Sequence, residues 1–169
     1  MNPGEAPATR LEALSTRGLL RLYADILTEL IRRGVVRSRN APAGDLGEYL
    51  VATAFDGELA PPSEKSWDVR VDDRHLQVKV RLIASGDRRS HYYSPFRSWD
   101  FNSCVFLLLD AHSYNVASAV EVPVAGVQTL ARETTCVKGF RVGTRVDLRN
   151  IAGAIDRTAE LRHALETLT

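Results

Sequence analysis

The chain has 169 residues, 44% of them apolar and 25% charged, which is the profile of one globular domain with a real core and excludes a disordered, collagen-like or disulfide-stapled chain. Twenty-two Lys and Arg against 21 Asp and Glu leave a formal net charge of +1, so a uniformly basic coat and an acidic tail are both excluded and any polyanion site must be local. Cys104 and Cys136 lack metal-type spacing and fit a reducing interior, no apolar run approaches the roughly 20 residues of a membrane span, and Met1-Asn2-Pro3-Gly4-Glu5 has no signal-peptide character; a cytoplasmic protein away from membranes is expected.

From Leu11 to Val36 the apolar residues Leu19, Tyr23, Ile26, Leu27, Leu30 and Ile31 recur at helical spacing, and Gly34 is placed to close the helix. Residues 1–43 are read as a helical extension of a single domain covering 1–169. Ser38 to Gly44 reads as a loop, and Asp45 as the cap of a second helix running to about Phe55–Gly57. Trp67, Val69 and Val71 then alternate with polar residues, as do Leu76, Val78 and Val80, so two strands form a hairpin. A turn centred on Asp73-Arg74 pairs Val69 with Val78 and Val71 with Leu76, and sets Asp68 opposite Lys79 with Gln77 on the diagonal. Ala84 to Asn102 has no period and reads as a long loop, of a length that is usually functional. Val105 to Leu109 suits a central buried strand and Asn115 to Val122 a further one. A short helix from Val124 to Arg132, two short strands between Val137 and Val146 around Gly143, and a terminal helix from Ile155 to Leu168 complete the chain.

A helix carrying Gly47-Glu48-Tyr49-Leu50, a strand with Trp67-Asp68-Val69 and an adjacent strand with Gln77-Val78-Lys79 follow one another in this order. In these residues the chain resembles the PD-(D/E)xK nuclease superfamily, and specifically the branch, seen in Mrr-type restriction enzymes, in which Gln replaces the acidic residue of the third motif. The match runs from about Asp45 to Asp110, and the flanking segments are similar to small bacterial domains of this fold. The resemblance implies an α/β, restriction-endonuclease-like fold with a mixed central sheet flanked by helices. It also implies a Mg²⁺- or Mn²⁺-dependent nuclease hydrolysing DNA phosphodiesters, in restriction or phage defence. Trp67 stands where the superfamily commonly has a proline.

The residue types suit that chemistry. A hard cation takes oxygen ligands, which Asp68, the Gln77 amide, the Val78 carbonyl and Glu48 would supply, while the Lys79 ammonium would hold the attacking water and offset charge on the phosphate. Replacing a carboxylate by Gln77 lowers the negative charge around such a metal. Plainer explanations stand beside each: Asp68 and Lys79 as a solvated cross-strand ion pair, and Glu48, three residues after Asp45, as half of a capping box. A fold kept only to bind nucleic acid or a protein is the alternative to catalysis.

Between Lys79 and Arg97 stand Lys79, Arg81, Arg88, Arg89 and Arg97 against the single acid Asp87. This local excess of four positive charges makes Arg81, Arg88, Arg89 and Arg97 the candidate DNA contacts. His91, Tyr92, Tyr93, Phe96 and Trp99 interleave with them, either to stack on bases or to pack on the sheet. Arg32, Arg33, Arg37 and Arg39 form a second cluster, suited to a helix C-terminus. Duplex cleavage by one small site per chain calls for a homodimer, and a defence role for a partner protein. The four histidines have no zinc spacing, no nucleotide-binding glycine loop or serine elbow occurs, and Cys104 is expected in the core.

Overall fold

The computed structural model describes residues 11–14, 16–37, 42–84, 86–89, 91–111, 113–135 and 138–168; Arg39, His112, Cys136 and Val137 lie outside the described residues. The chain divides into two compact units, with the break between Pro42 and Ala43. The first contains helix α1 (Thr16–Arg32). Gly34, at φ 74°, ends it in a Schellman turn: its N–H donates to the Ile31 carbonyl at 3.0 Å and that of Val35 to Leu30 at 3.1 Å. The apolar stripe read from the sequence is only partly covered, with Leu27 buried while Tyr23 and Ile26 stay exposed.

The second unit is mixed α/β. Its six-stranded sheet has the order β1-β2-β3-β4-β5-β8, with β1 (Glu58–Leu59), β2 (Val69–Val71), β3 (Arg74–Ile83), β4 (Ser103–Asp110), β5 (Val116–Pro123) and β8 (Ile155–Asp156). β3 and β4 are parallel, and the other neighbours run antiparallel. β4 is the continuously apolar strand of the sequence and lies centrally. Helices α2 (Ala43–Ala54) and α4 (Thr158–Glu166) pack on the face that carries Val80, Leu107 and Ala119. Close approach depends on Gly47, where a Cβ would stand 2.3 Å from Val80 Cγ2.

The opposite face is covered by helix α3 (Val124–Leu130) and by chain with little regular structure. Tyr93, Phe96 and Phe101 from the long loop join Cys104, Phe106, Val120, Val122, Val127, Val142 and Leu148 in one buried cluster. The loop is held by backbone bonds from Tyr93 N–H to Val142 (3.0 Å) and from Phe96 N–H to Phe140 (2.8 Å). A parallel β3–β4 pair needs a long crossover, and aromatic burial takes the place of the usual helix. Of the loop aromatics, Tyr93 and Phe96 are therefore core residues and Trp99 packs against the cluster; Tyr92 is the one left 52% exposed.

Three expectations need correction. The hairpin pairs Val69 with Leu76 and Val71 with Arg74, around a two-residue turn at Asp72-Asp73 in which Asp72 takes φ 51°. The partner sum differs by two from the expected register, and a two-residue shift preserves side-chain parity, so the apolar pattern cannot discriminate the two. Residues Ile155–Asp156 form an edge strand rather than the start of the terminal helix, which begins at Thr158. Within 138–146 the described residues contain one strand, β7 (Phe140–Arg141), paired with β6 (Arg132–Glu133), not two strands around Gly143.

Candidate active site

β2 begins at Val69, and the residue just before it does the work of a strand end. Asp68 donates its N–H to the Leu76 carbonyl and accepts at its own carbonyl from Ala60, both at 2.8 Å, while its Oδ2 accepts from the Val78 N–H at 2.7 Å. A side chain thus satisfies the β3 edge where the ladder has ended. One step beyond the Val69–Leu76 pair, Asp68 stands level with Gln77 and diagonal to Lys79, the reverse of the expected arrangement. N–H and C=O of one strand residue point to the same edge, so the Val78 carbonyl faces the side on which Asp68 sits.

Gln77 and Lys79 share the face opposite α2, and neither is solvated. The Gln77 amide nitrogen donates to the Ser66 carbonyl at 2.8 Å, which fixes the orientation of the side chain, and its Oε1 is buried with no hydrogen-bond donor. A buried acceptor left unpaired costs about 1–3 kcal/mol. Lys79, 8% exposed, donates to the Pro95 carbonyl at 3.3 Å and lies 4.8 Å above the centre of the Phe96 ring. Burial pulls its ammonium below the ordinary lysine range; the charges of Asp68 and Glu48 oppose this and Arg97 adds to it. Glu48 reaches this neighbourhood from α2, on the other face, and is half-buried. The buried Cys104 thiol, next to Gln77 on β4, is pushed well above its usual range and is a neutral core group.

Among the described residues no group of three or more His, Cys, Asp or Glu could hold a metal ion. A cation here would rely on the carboxylates of Asp68 and Glu48 together with the Gln77 amide and the Val78 carbonyl. That donor set is all oxygen, fits Mg²⁺ or Mn²⁺, and gives the orphaned Gln77 Oε1 a partner.

Of the candidate DNA contacts, Arg81, Arg88, Arg89 and Arg97 are all exposed. Arg89 is committed to Asp87, with its Nη2 2.8 Å from Oδ2, and these contacts hold the Asp87 carboxyl well below its usual range. Sequence reasoning missed the Ser66 and Pro95 carbonyls that orient Gln77 and Lys79, because backbone acceptors carry no residue signature. It also missed Arg141 and Arg145, which face the same loop from a segment about fifty residues further along the chain.

Comparison of the sequence with protein-family models and with curated proteins finds no match to either.

Proposed function

We propose that this chain is a Mg²⁺- or Mn²⁺-dependent nuclease of the PD-(D/E)xK type with a restriction-endonuclease-like fold, hydrolysing DNA phosphodiester bonds. The observation that carries the reading is the buried, unpaired Gln77 Oε1 beside a buried Lys79 ammonium, on the strand edge capped by Asp68. Folding alone does not select such groups, whereas a reaction centre needs them. Asp68, Glu48, Gln77 and the Val78 carbonyl would hold the metal, which would supply Lewis-acid polarisation of a phosphate oxygen. Lys79, held over Phe96 and against Pro95, orients the attacking water and offsets the charge that develops on the phosphate oxygens. Hydrolysis forms a bond from the water oxygen to phosphorus and breaks the ester bond, with a proton passing to the leaving oxygen. With one site per chain, cutting both strands of a duplex calls for a two-fold dimer.

A second reading has one observation in its favour. With no group of three acidic or other classical ligands among the described residues, the fold would serve as a non-catalytic module for nucleic acid or a protein partner.

Calorimetric Mn²⁺ titration alongside plasmid nicking tests both. Asp68→Asn keeps an oxygen for the Val78 N–H and removes the ligand charge, so the variant folds and loses Mn²⁺ affinity by about tenfold or more, since even the outer supports of metal ligands are worth that much. A wild-type chain that takes up no Mn²⁺ overturns the nuclease reading and leaves the binding module.

A further inference from the structure

Beyond Lys79 along β3 the same face opens into a pocket of about 400 Å³ lined by Arg81, His91, Tyr92 and Arg141. A second pocket, of about 230 Å³, adjoins it with His91 and Tyr92 in common, and is lined further by Gly143, Arg145 and Val146. Among the described residues lining the two there are three arginines and no carboxylate. The nearby acid, Asp87, is already engaged by Arg89 and by the His91 ring at 2.9 Å. The His91 ring lies between that carboxylate and a guanidinium, with Nε2 2.9 Å from Asp87 Oδ2 and Nδ1 3.4 Å from Arg81 Nη2. The Arg141 Nε is buried without a hydrogen-bond acceptor. The two buried side-chain polar atoms left unpaired among the described residues are thus an acceptor at the candidate metal site and a donor in this basic pocket, as a cation and an anion would each require.

The walls are preformed. Tyr92 bridges to Gly143, and the N–H groups of Tyr93 and Thr144 donate to the Val142 and His91 carbonyls at 3.0 Å each. Tyr92, half exposed and shared by the two pockets, presents an aromatic surface where Arg81 and Arg141 line one pocket and Arg145 the other. A Cβ at Gly143 would stand 4.0 Å from the Tyr92 ring and 3.8 Å from Val146, ordinary contact distances, so a methyl fits there while a longer side chain would compete for the space beside the Tyr92 ring.

We infer that these pockets bind single-stranded nucleic acid, with a phosphate on Arg81 and Arg141 and an unstacked base on Tyr92 between them and Arg145. Guanidinium forks suit phosphate, and a ring between cations suits a base in a way that duplex DNA, whose bases are stacked inside, does not exploit. Arg81 lies two residues, about 6.6 Å, beyond Lys79 on the same face, so the bound phosphate is a neighbour of the reacting one rather than the reacting one itself. In naming the substrate strand of that centre the inference rests on the nuclease reading; the binding itself does not need metal.

Fluorescence anisotropy of a labelled dT 12-mer on the full chain in EDTA tests it. The wild type binds the 12-mer more tightly than a blunt duplex of equal length. Tyr92→Leu and Gly143→Leu each weaken binding about tenfold, and Arg141→Gln weakens it and lowers the salt slope by about one. Tyr92 is exposed and Gly143 has no positive φ, so thermal melts of these variants stay near wild type; Gly143→Ala, which adds one methyl at ordinary contact distance, binds almost as wild type. Unchanged affinity in both Tyr92→Leu and Gly143→Leu, or a duplex bound as tightly as the single strand, overturns the proposal. Variants that respond in EDTA while the wild type takes up no Mn²⁺ would sink the nuclease reading and keep this pocket. Normal Mn²⁺ uptake and nicking with unresponsive variants would do the reverse.

Discussion

On the helix-covered face of the sheet, Glu121 is 2% exposed and its two oxygens are fully served: Ser103 donates at 2.7 Å, Arg74 joins it on Oε1, and Arg157 donates twice to Oε2 at 2.9 and 3.0 Å. On the opposite face, equally shielded, Lys79 makes one long bond to a carbonyl and Gln77 Oε1 makes none. Burial depth is similar and satisfaction is not. A buried charge with complete partners is a structural element, because its desolvation is offset locally; a buried charge left short of partners raises the free energy of the fold and persists where something absent from the free chain completes it. The difference separates the two polar clusters by chemistry rather than by position.

The contrast breaks most decisively at Lys79. If the ammonium serves the reaction, Lys79→Met, which keeps most of the aliphatic side chain and removes the charge, lowers nicking by about a hundredfold or more. The same change relieves a desolvated charge, so thermal stability stays level or rises. A variant that melts earlier yet nicks normally would make Lys79 a structural residue like Glu121. The mirror experiment is Glu121→Ala, which strands two arginines; it should cost about 2–3 kcal/mol, below the 3–5 typical of a fully buried pair because Arg74 stays half exposed. Nicking per folded molecule should not change. Burial alone would raise the Glu121 pKa, but hydrogen bonds from Ser103, Arg157 and Arg74 outweigh it and the net shift is downward. A depressed carboxylate stabilises the fold above its unfolded pKa, near 4.5, and loses that contribution as pH falls below it. Urea melts between pH 6 and 3 should therefore fall more steeply for the wild type than for Glu121→Gln.

The sequence made the central strand, both helices of the covered face and the order of Glu48, Asp68, Gln77 and Lys79 legible, because each rests on local periodicity. What it left illegible depends on long-range pairing. The hairpin register was ambiguous because shifts by two keep Val69 and Leu76 on one face. The burial of Lys79 was invisible because its cover, Pro95 and Phe96, comes from a loop with no period. Glu121 passed as an ordinary strand residue, since its partners Arg74, Ser103 and Arg157 are scattered through the chain. Arg141 and Arg145 reach the pocket through long-range pairing of 91–96 with 140–144, at the Tyr92–Gly143 and Phe96–Phe140 bridges.

The same distinction between committed and uncommitted charge reaches the surface, where the effects are smallest. Arg88 and Arg89 look alike in the sequence, and both are exposed. Arg89 directs Nε and Nη2 at Asp87, at 3.1 and 2.8 Å, so a phosphate must share that guanidinium with a carboxylate. Exposed pairs of this kind are worth a fraction of a kcal/mol, enough to blunt a contact without abolishing it. Replacing Arg88 by Ala should lower the slope of log affinity against log salt by about one, if its contact with the DNA is direct. Replacing Arg89 should lower it by clearly less, and both should weaken all sequences alike because phosphate contacts carry no base information. Measured slopes that fall equally would mean that the Asp87 pair opens freely when DNA arrives, and that only the buried clusters, not the surface, distinguish satisfied charge from charge held in reserve.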